Sequence, residues 1–204
     1  MSTPAPDFYL ASASPRRREL LAQLRYRFAA LQVDIDETPR PGETAAGLVL
    51  RLAGQKAAAG TRLVELSGPR PVLGADTAVS VDGRILGKPA TCDEAVAMLS
   101  LLSGREHQVL TGVALLDAGR LATVLSATTV VFRTVTVAEM RRYWDTGEPR
   151  DKAGGYAIQG LAAAFVARIE GSYSGVVGLP LFETVRLLQD SGVSGWLQDG
   201  TYHE

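Results

Sequence analysis

The segment over residues 8–24 most constrains the fold, because it places a short apolar strand almost directly before a helix. Phe8–Ala11 is an apolar run of strand length, and Glu19–Leu24 consists mostly of good helix formers. Between them, Ser14 suits the N-cap and Pro15 the first helical position. A strand, a tight loop and a helix in this order indicate an α/β protein.

Three consecutive arginines, Arg16–Arg18, fall in the first turn of this helix. The N–H groups there already carry partial positive charge, so an anion between the arginines would relieve the repulsion. Arginine forks match phosphate oxygens in bidentate geometry, and Ser12 and Ser14 add hydroxyl donors beside them. The segment therefore predicts a phosphate site, with a solvated basic turn as the alternative.

Composition limits what this anion can be. The chain has 204 residues, 46% of them hydrophobic, enough to bury the core of one domain over residues 1–204 with two lobes. A formal net charge of -1 and a pI near 6.2 argue against a nucleic acid polymer as partner and favour a small phosphorylated molecule. One cysteine and two histidines make a Cys/His metal site improbable. No apolar run has the length of a membrane span, so we expect a cytoplasmic protein without a membrane partner.

The pattern along the rest of the chain predicts a mixed, elongated sheet with flanking helices and two lobes around a cleft. The predicted elements are, in chain order, a strand over 28–38, a helix from Thr44, a strand over 72–75, a hairpin turning at 82–83, helices from Thr91 and Thr136, a long antiparallel pair over 108–116 and 121–132, a strand over 163–169 and a last helix after Phe182.

Three charged residues stand in positions typical of reacting groups. Lys56 follows two leucines at four-residue spacing, which places it along an apolar helix stripe, where a lysine that snorkels to solvent is the alternative. Asp76 follows the strand over 72–75, and α/β proteins keep reacting groups at strand ends. Lys88 lies in a turn stiffened by a proline. Together with an arginine-lined anion site, these groups predict phosphoryl chemistry.

Seven segments in a fixed order resemble the Maf family, and the match runs from residue 9 to about residue 188. The segments are Leu10–Arg17, Val33–Glu37, Arg51–Lys56, Gly74–Thr77, Ile85–Pro89, Leu102–His107 and Val177–Leu181. The resemblance implies a fold like that of inosine triphosphate pyrophosphatases and hydrolysis of nucleoside triphosphates to the monophosphate and pyrophosphate. It also implies a divalent cation, Mg²⁺ or Mn²⁺, as cofactor and a homodimer.

Residues 151–159 are similar to the branch of the family that acts on dTTP and UTP, modified pyrimidine nucleotides being a further option. By this resemblance Asp76 accepts the proton of the attacking water, and Glu37 and Asp76 face the metal. Arg16, Thr77 and Gln159 occupy the positions that set base preference, and the Gln159 amide offers a donor and an acceptor to a pyrimidine imide edge. The remaining substrate-binding positions are Ser12, Ser14, Arg17, Lys56 and Lys88.

Two classes of function stay open at this point. The first is an enzyme that maintains the nucleotide pool by hydrolysing dTTP and UTP. The second is a nucleotide-binding regulator of septum formation and cell division without significant turnover, because the family is associated with that role too.

Overall fold

The computed structural model describes residues 5–65 and 70–195, and it shows one seven-stranded mixed sheet flanked by helices, which confirms the predicted fold class. The strands are β1 (Phe8–Ala11), β2 (Phe28–Leu31), β3 (Val72–Val81), β4 (Arg84–Leu86), β5 (Glu106–Asp117), β6 (Arg120–Phe132) and β7 (Val166–Glu170). The α-helices are α1 (Pro15–Gln23), α2 (Ala45–Val64), α3 (Cys92–Leu102), α4 (Val137–Asp145), α5 (Tyr173–Val177) and α6 (Leu181–Asp190). Short 3-10 helices cover Glu148–Asp151, Ala153–Gly155 and Leu161–Phe165.

Strand β3 lies at the centre of the sheet, whose order is β2-β1-β3-β5-β6-β7 with β4 also paired to β3. Along one edge β3 pairs in parallel with β1 over 72–74 and antiparallel with β4 over 79–81, while β5 pairs along the other edge over 72–80. Among the described residues, the stretch 75–78 therefore has no strand partner on the first edge. A gap in the sheet opens beside this stretch.

Helix α2 lies directly on the sheet because two glycines remove side chains at the contact. A Cβ at Gly74 would lie 2.2 Å from the carbonyl oxygen of Ala53, and one at Gly112 would lie 2.5 Å from that of Val49. Any larger residue at either position would push the helix away from β3 and β5. The close approach carries the buried face of α2, which includes Lys56, onto β3.

The opposite face of the sheet holds two hydrophobic clusters. One packs Leu73 of β3 against α1 and α6, and the other packs Val79 of β3 against α3 and α4. Between them lie Thr77 and Thr111, which are directly opposed on β3 and β5. The clusters form two lobes with a cleft between them, as the sequence predicts.

Three element predictions are wrong in extent. Strand β2 ends at Leu31 rather than near residue 38, because its partner β1 ends at the paired residue Ala11. Strand β3 continues to Val81, because β5 pairs with it well past residue 75, so Asp76 lies within the strand and not at its end. The predicted strand over 163–169 begins as a 3-10 helix and becomes strand β7 only at Val166.

The other predicted elements are confirmed. The hairpin turns at Asp82 and Gly83 between β3 and β4, and β5 and β6 form the long antiparallel pair. Thr91 and Thr136 are the N-caps of α3 and α4, each accepting a hydrogen bond from the backbone of the third helical residue. None of the helices within 5–65 and 70–195 is long and apolar enough to cross a membrane.

Candidate active site

A cleft of about 580 Å³ opens at the gap beside β3. This volume is within the usual range for small-molecule sites. Its walls come from the β1–α1 loop, the segment after β2, α2, the middle of β3, the turn after β4, residues 151–159 and the end of α5. All residues that the sequence predicts for the site line it: Ser12, Ser14, Arg16, Arg17, Glu37, Lys56, Asp76, Thr77, Lys88 and Gln159.

Lys56 joins two carboxylates in this cleft. Its Nζ lies 2.6 Å from Glu37 Oε1 and 2.7 Å from Asp76 Oδ1. The Lys56 and Asp76 side chains are only 10% and 13% exposed, whereas Glu37 is 48% exposed. Lys56 therefore does not snorkel to solvent, and the ion pairs fix the Asp76 carboxylate at the cleft wall.

The charge of Glu37 is set by its cationic neighbours. Partial burial opposes ionisation, but the hydrogen bond and positive charge of Lys56, together with Lys88 and Arg17, outweigh it and lower the Glu37 pKa. Glu37 is therefore ionised at neutral pH and adds a negative charge beside Asp76.

Arg17 is a partly buried cation whose guanidinium is held by neutral oxygens. Its Nε donates to the Gly178 carbonyl at 2.8 Å, and its Nη1 and Nη2 donate to Ser12 Oγ and Thr77 Oγ1, both at 3.2 Å. Within the described part of the chain it forms no ion pair, and burial lowers its pKa despite the nearby charge of Asp76. The two remaining guanidinium N–H groups and the lack of a direct ion pair among the described residues suit an anionic ligand.

The β1–α1 loop presents donors to the same place. Ser14 is the N-cap of α1, yet its side chain makes no capping hydrogen bond, so the first N–H groups of the helix lack their usual side-chain partner. Ser12 Oγ accepts hydrogen bonds from the Ser14 N–H and from Arg17 Nη1, both at 3.2 Å. Because both lone pairs of this oxygen are used, the Ser12 hydroxyl can only donate toward a ligand.

Arg16, next to Arg17 in the first turn of α1, contacts the segment over residues 151–159. Its Nη1 is 3.6 Å from Asp151 Oδ2, and Asp151 also pairs with Lys152, whose side chain is 15% exposed. Asp151 and Lys152 line the cleft, but the sequence reading did not single them out as site residues. Among the described lining residues, five cationic side chains face three carboxylates, an excess of positive charge that favours an anion.

Gln159 is exposed at the cleft rim. Its segment, residues 151–159, is anchored by hydrogen bonds that involve Tyr143 and Tyr156. Tyr143 Oη accepts from the Ala157 N–H at 3.1 Å and donates to Glu148 Oε1 at 2.6 Å. Tyr156, which lines the cleft, is 2.8 Å from His107 Nε2 through its Oη. These hydrogen bonds anchor the segment. Within residues 5–65 and 70–195 the Gln159 amide makes no side-chain hydrogen bond, so it can contact a ligand.

The comparison with known proteins agrees with this geometry. The family model described as "Maf-like protein" matches residues 7–191 of the chain. The chain belongs to the Maf family. A protein of Chromobacterium violaceum named dTTP/UTP pyrophosphatase is 52% identical over 194 residues, which cover 94% of this chain and 98% of that protein. A protein of Hahella chejuensis with the same name is 53% identical over 190 residues, or 92% and 93% of the two chains.

One solved structure, described as a nucleoside-triphosphatase / dITP/XTP pyrophosphatase from Mycobacterium abscessus, is 18% identical. It covers 61% of this chain and 73% of that chain with a TM-score of 0.41.

A divalent cation, which the Maf resemblance implies, is compatible with the donors in the cleft. Magnesium in nucleotide enzymes is bound by one or two carboxylates together with phosphate oxygens and water. Glu37 and Asp76 converge on one lysine at the cleft wall and are the two carboxylates that fit this donor set. No cluster of three or more His, Cys, Asp or Glu side chains suited to a metal occurs within residues 5–65 and 70–195. Glu37 and Asp76 would hold the ion through their carboxylate oxygens, with phosphate oxygens and water as its other ligands.

We predict that His107 makes this Maf protein less stable in acid. His107 is 3% exposed, and burial lowers its pKa to about 4. The unfolded chain binds this proton near pH 6.5, whereas the folded protein binds it only near pH 4. The free energy of unfolding is therefore at its full value above pH 6.5 and falls as the pH is lowered toward 4. The free energy of unfolding should therefore fall by about 3 kcal/mol more in the wild type than in His107→Gln between pH 7 and pH 4. Urea unfolding at each pH measures this difference, and parallel pH curves for the two proteins would contradict it.

Proposed function

We propose that this chain hydrolyses dTTP and UTP to the nucleoside monophosphate and pyrophosphate, and so controls the level of pyrimidine nucleotides in the pool. The observation that carries this proposal is that one cleft holds both the Glu37–Lys56–Asp76 cluster and, at the N-terminus of α1, the Arg17 guanidinium with two free N–H groups. Relatives about half identical over nearly the whole chain bear the name dTTP/UTP pyrophosphatase.

The triphosphate would bind between the N-terminus of α1 and the two lysines, Lys56 and Lys88. The Ser12 hydroxyl would donate to a phosphate oxygen, because both of its lone pairs already accept hydrogen bonds. The first N–H groups of α1 would donate as well, because no side chain caps them. Ser14 and Arg17 lie beside them, and Lys56 and Lys88 supply charge from the opposite wall. These groups would neutralise the charge that develops on the departing pyrophosphate.

Asp76 would accept the proton of the water that attacks the α-phosphorus. The bond between the α-phosphorus and the bridging oxygen breaks, and pyrophosphate leaves. A Mg²⁺ or Mn²⁺ ion held by Glu37 and Asp76 would supply positive charge to the phosphate oxygens. Lys56 holds Asp76 Oδ1 at 2.7 Å, so the carboxylate is oriented before the substrate arrives.

The base would lie against residues 151–159, with Arg16, Thr77 and Gln159 around it. Apolar side chains including Tyr156 and Ile158 also line this part of the cleft and provide a surface for a nucleobase. A primary amide can donate to one carbonyl of a pyrimidine imide and accept from its N–H, which suits uracil and thymine.

We predict that Gln159→Glu reduces kcat/KM for dTTP by about 10- to 100-fold, because a carboxylate can no longer donate to a base carbonyl. The fold should be unaffected, since Gln159 is exposed. Gln23→Glu is a matched control, because Gln23 is exposed at the end of α1 and outside the cleft lining. Equal kcat/KM values for the two variants would show that Gln159 does not contact the base.

A panel of nucleoside triphosphates tests the proposed function as a whole. Pyrophosphate release is measured with dTTP, UTP, 5-methyl-UTP, CTP and 7-methyl-GTP in the presence of Mg²⁺. The proposal requires the highest kcat/KM values for dTTP, UTP or the methylated uridine nucleotide. Preference for 7-methyl-GTP would contradict the assignment of the base site, and binding without release would favour the regulator.

A further inference from the structure

A row of hydrogen bonds crosses the junction between the two lobes just behind the cleft. Arg17 Nη2 donates to Thr77 Oγ1 at 3.2 Å, Thr77 Oγ1 lies 2.9 Å from Thr111 Oγ1, and Thr111 Oγ1 donates to the Gly175 carbonyl at 2.8 Å. Thr77 lines the cleft, whereas Thr111 is 1% exposed and lies behind it. The four groups belong to α1, β3, β5 and α5. The hydrogen bonds therefore connect these four elements through the Thr77 and Thr111 hydroxyls, and the Thr77 hydroxyl lines the cleft.

The row fixes the direction of each hydrogen bond. A carbonyl oxygen only accepts, so the single hydrogen of the Thr111 hydroxyl points to Gly175. Thr111 must then accept from Thr77, which uses the only hydrogen of the Thr77 hydroxyl. Arg17 has no acceptor capacity and occupies one lone pair of Thr77 Oγ1. One lone pair remains, so Thr77 can offer the cleft an acceptor and no donor.

This polarity decides what Thr77 can contact. A phosphate oxygen is itself an acceptor, so Thr77 cannot hydrogen-bond to it without breaking the row. An N–H group satisfies the free lone pair. The imide N3 of uracil and thymine carries a hydrogen, whereas N3 of cytosine carries a lone pair that would face the Thr77 oxygen. An acceptor facing an acceptor loses a hydrogen bond and leaves both groups desolvated.

We propose that Thr111 is a positioning residue for base selection, holding Thr77 as an acceptor and thereby favouring uracil and thymine over cytosine. The inference rests on the proposed function, since it concerns the base side of the same cleft. Thr111 acts only through Thr77. Without the Thr111 hydroxyl, Thr77 is free to rotate and to donate to N3 of cytosine.

The experiment compares kcat/KM for UTP and CTP in the wild type, Thr111→Val and Thr111→Ser. Valine keeps the volume and removes the hydroxyl, whereas serine keeps the hydroxyl. We expect the UTP-to-CTP ratio to fall by about tenfold or more in Thr111→Val, the effect of one hydrogen bond of about 1.4 kcal/mol, and to be preserved in Thr111→Ser. A general loosening of the fold would lower both rates together and leave the ratio unchanged, which would overturn the proposal.

A second comparison shows whether Thr111 acts through Thr77. In a Thr77→Val background, Thr111→Val should cause no further change in the ratio, and an additional change of the same size would overturn the proposal. If Thr111→Val does not fold, Thr111→Cys replaces it, because a thiol is a weak donor and acceptor. An unchanged UTP-to-CTP ratio in Thr111→Cys would also overturn the proposed role of Thr111. Failure of the proposed function is seen separately, as a wild-type protein that hydrolyses neither UTP nor dTTP.

Discussion

Replacement of Asp76 by asparagine is expected to lower kcat for dTTP by about 10³-fold or more while leaving the protein folded. The amide is nearly the same size but cannot take a proton from the attacking water, and it is a poor metal ligand. Its oxygen can still accept the hydrogen bond from Lys56 Nζ that Asp76 Oδ1 accepts at 2.7 Å, so the cleft wall keeps its shape. Steady-state pyrophosphate release measures the loss, and circular dichroism and calorimetric binding of dTTP establish that fold and site persist.

Asp34→Asn is the matched control for this experiment. Asp34 undergoes the same chemical change, but it is exposed and outside the cleft lining. Its kcat should stay within twofold of the wild type, as for most surface substitutions. If Asp76→Asn retains kcat within tenfold of the wild type, Asp76 is not the proton acceptor.

Replacement of Lys56 by methionine is expected to reduce both activity and stability. Methionine preserves length and helix propensity but leaves the Asp76 carboxylate, 13% exposed, without the ammonium that it contacts. Breaking such a buried pair from one side costs about 3 kcal/mol of unfolding free energy. Loss of the charge that would stabilise the departing pyrophosphate should lower kcat/KM by about 100-fold or more. Denaturant unfolding and pyrophosphate release measure the two effects.

The stability difference should depend on pH. In the wild type, the Glu37 pKa is lowered by Lys56, so this stabilisation is present above the unfolded pKa of about 4.3 and is lost as the pH falls through the folded pKa. In Lys56→Met, Glu37 lacks this partner, so its protonation removes no ion pair with residue 56. The deficit of the variant should therefore shrink from pH 7 toward pH 3.

Arg62→Met is the control for Lys56→Met, because it removes a cation from the same helix at an exposed position. Its unfolding free energy should lie within about 0.5 kcal/mol of the wild type at both ends of the pH range. A deficit in Lys56→Met that stays constant from pH 7 to pH 3 would contradict the ion-pair account.

Much of the site could be predicted from the sequence because its residues lie in local patterns with a direct physical meaning. The arginine-bearing start of α1 was readable from Ser14 and Pro15, which mark a helix N-terminus wherever the chain goes. The resemblance in several ordered segments then joined this turn to Lys56, Asp76 and Lys88, which the structure places in one cleft.

The errors come from pairings that no local pattern contains. The alternating residues after Leu31 look like a longer strand, but the strand that would pair with them ends at Ala11. Asp76 looks like the end of a strand because it is polar, yet β5 continues to pair with β3 beyond it. The approach of Lys56 to Asp76 depends on Gly74, where a side chain would collide with α2, and this contact joins residues far apart in sequence.

The residues that sequence reasoning missed act through tertiary contacts. Thr111 looks like any threonine in a strand, since only its position opposite Thr77 and below the Gly175 carbonyl gives it a role. Asp151 and Lys152 stand in the segment similar to the dTTP and UTP branch, and their place in the cleft follows from the contact of Asp151 with Arg16. The signal available for Lys152 was its basic side chain within that segment.

In the proposed reaction, water attacks the α-phosphorus of dTTP in this cleft. The most direct measurement is the hydrolysis of dTTP with Mg²⁺ in ¹⁸O-labelled water, followed by mass spectrometry of the products. We predict dTMP and pyrophosphate in equal amounts, with one ¹⁸O atom in dTMP and none in pyrophosphate. Label in pyrophosphate, products dTDP and phosphate, or stoichiometric binding of dTTP without any product would contradict it.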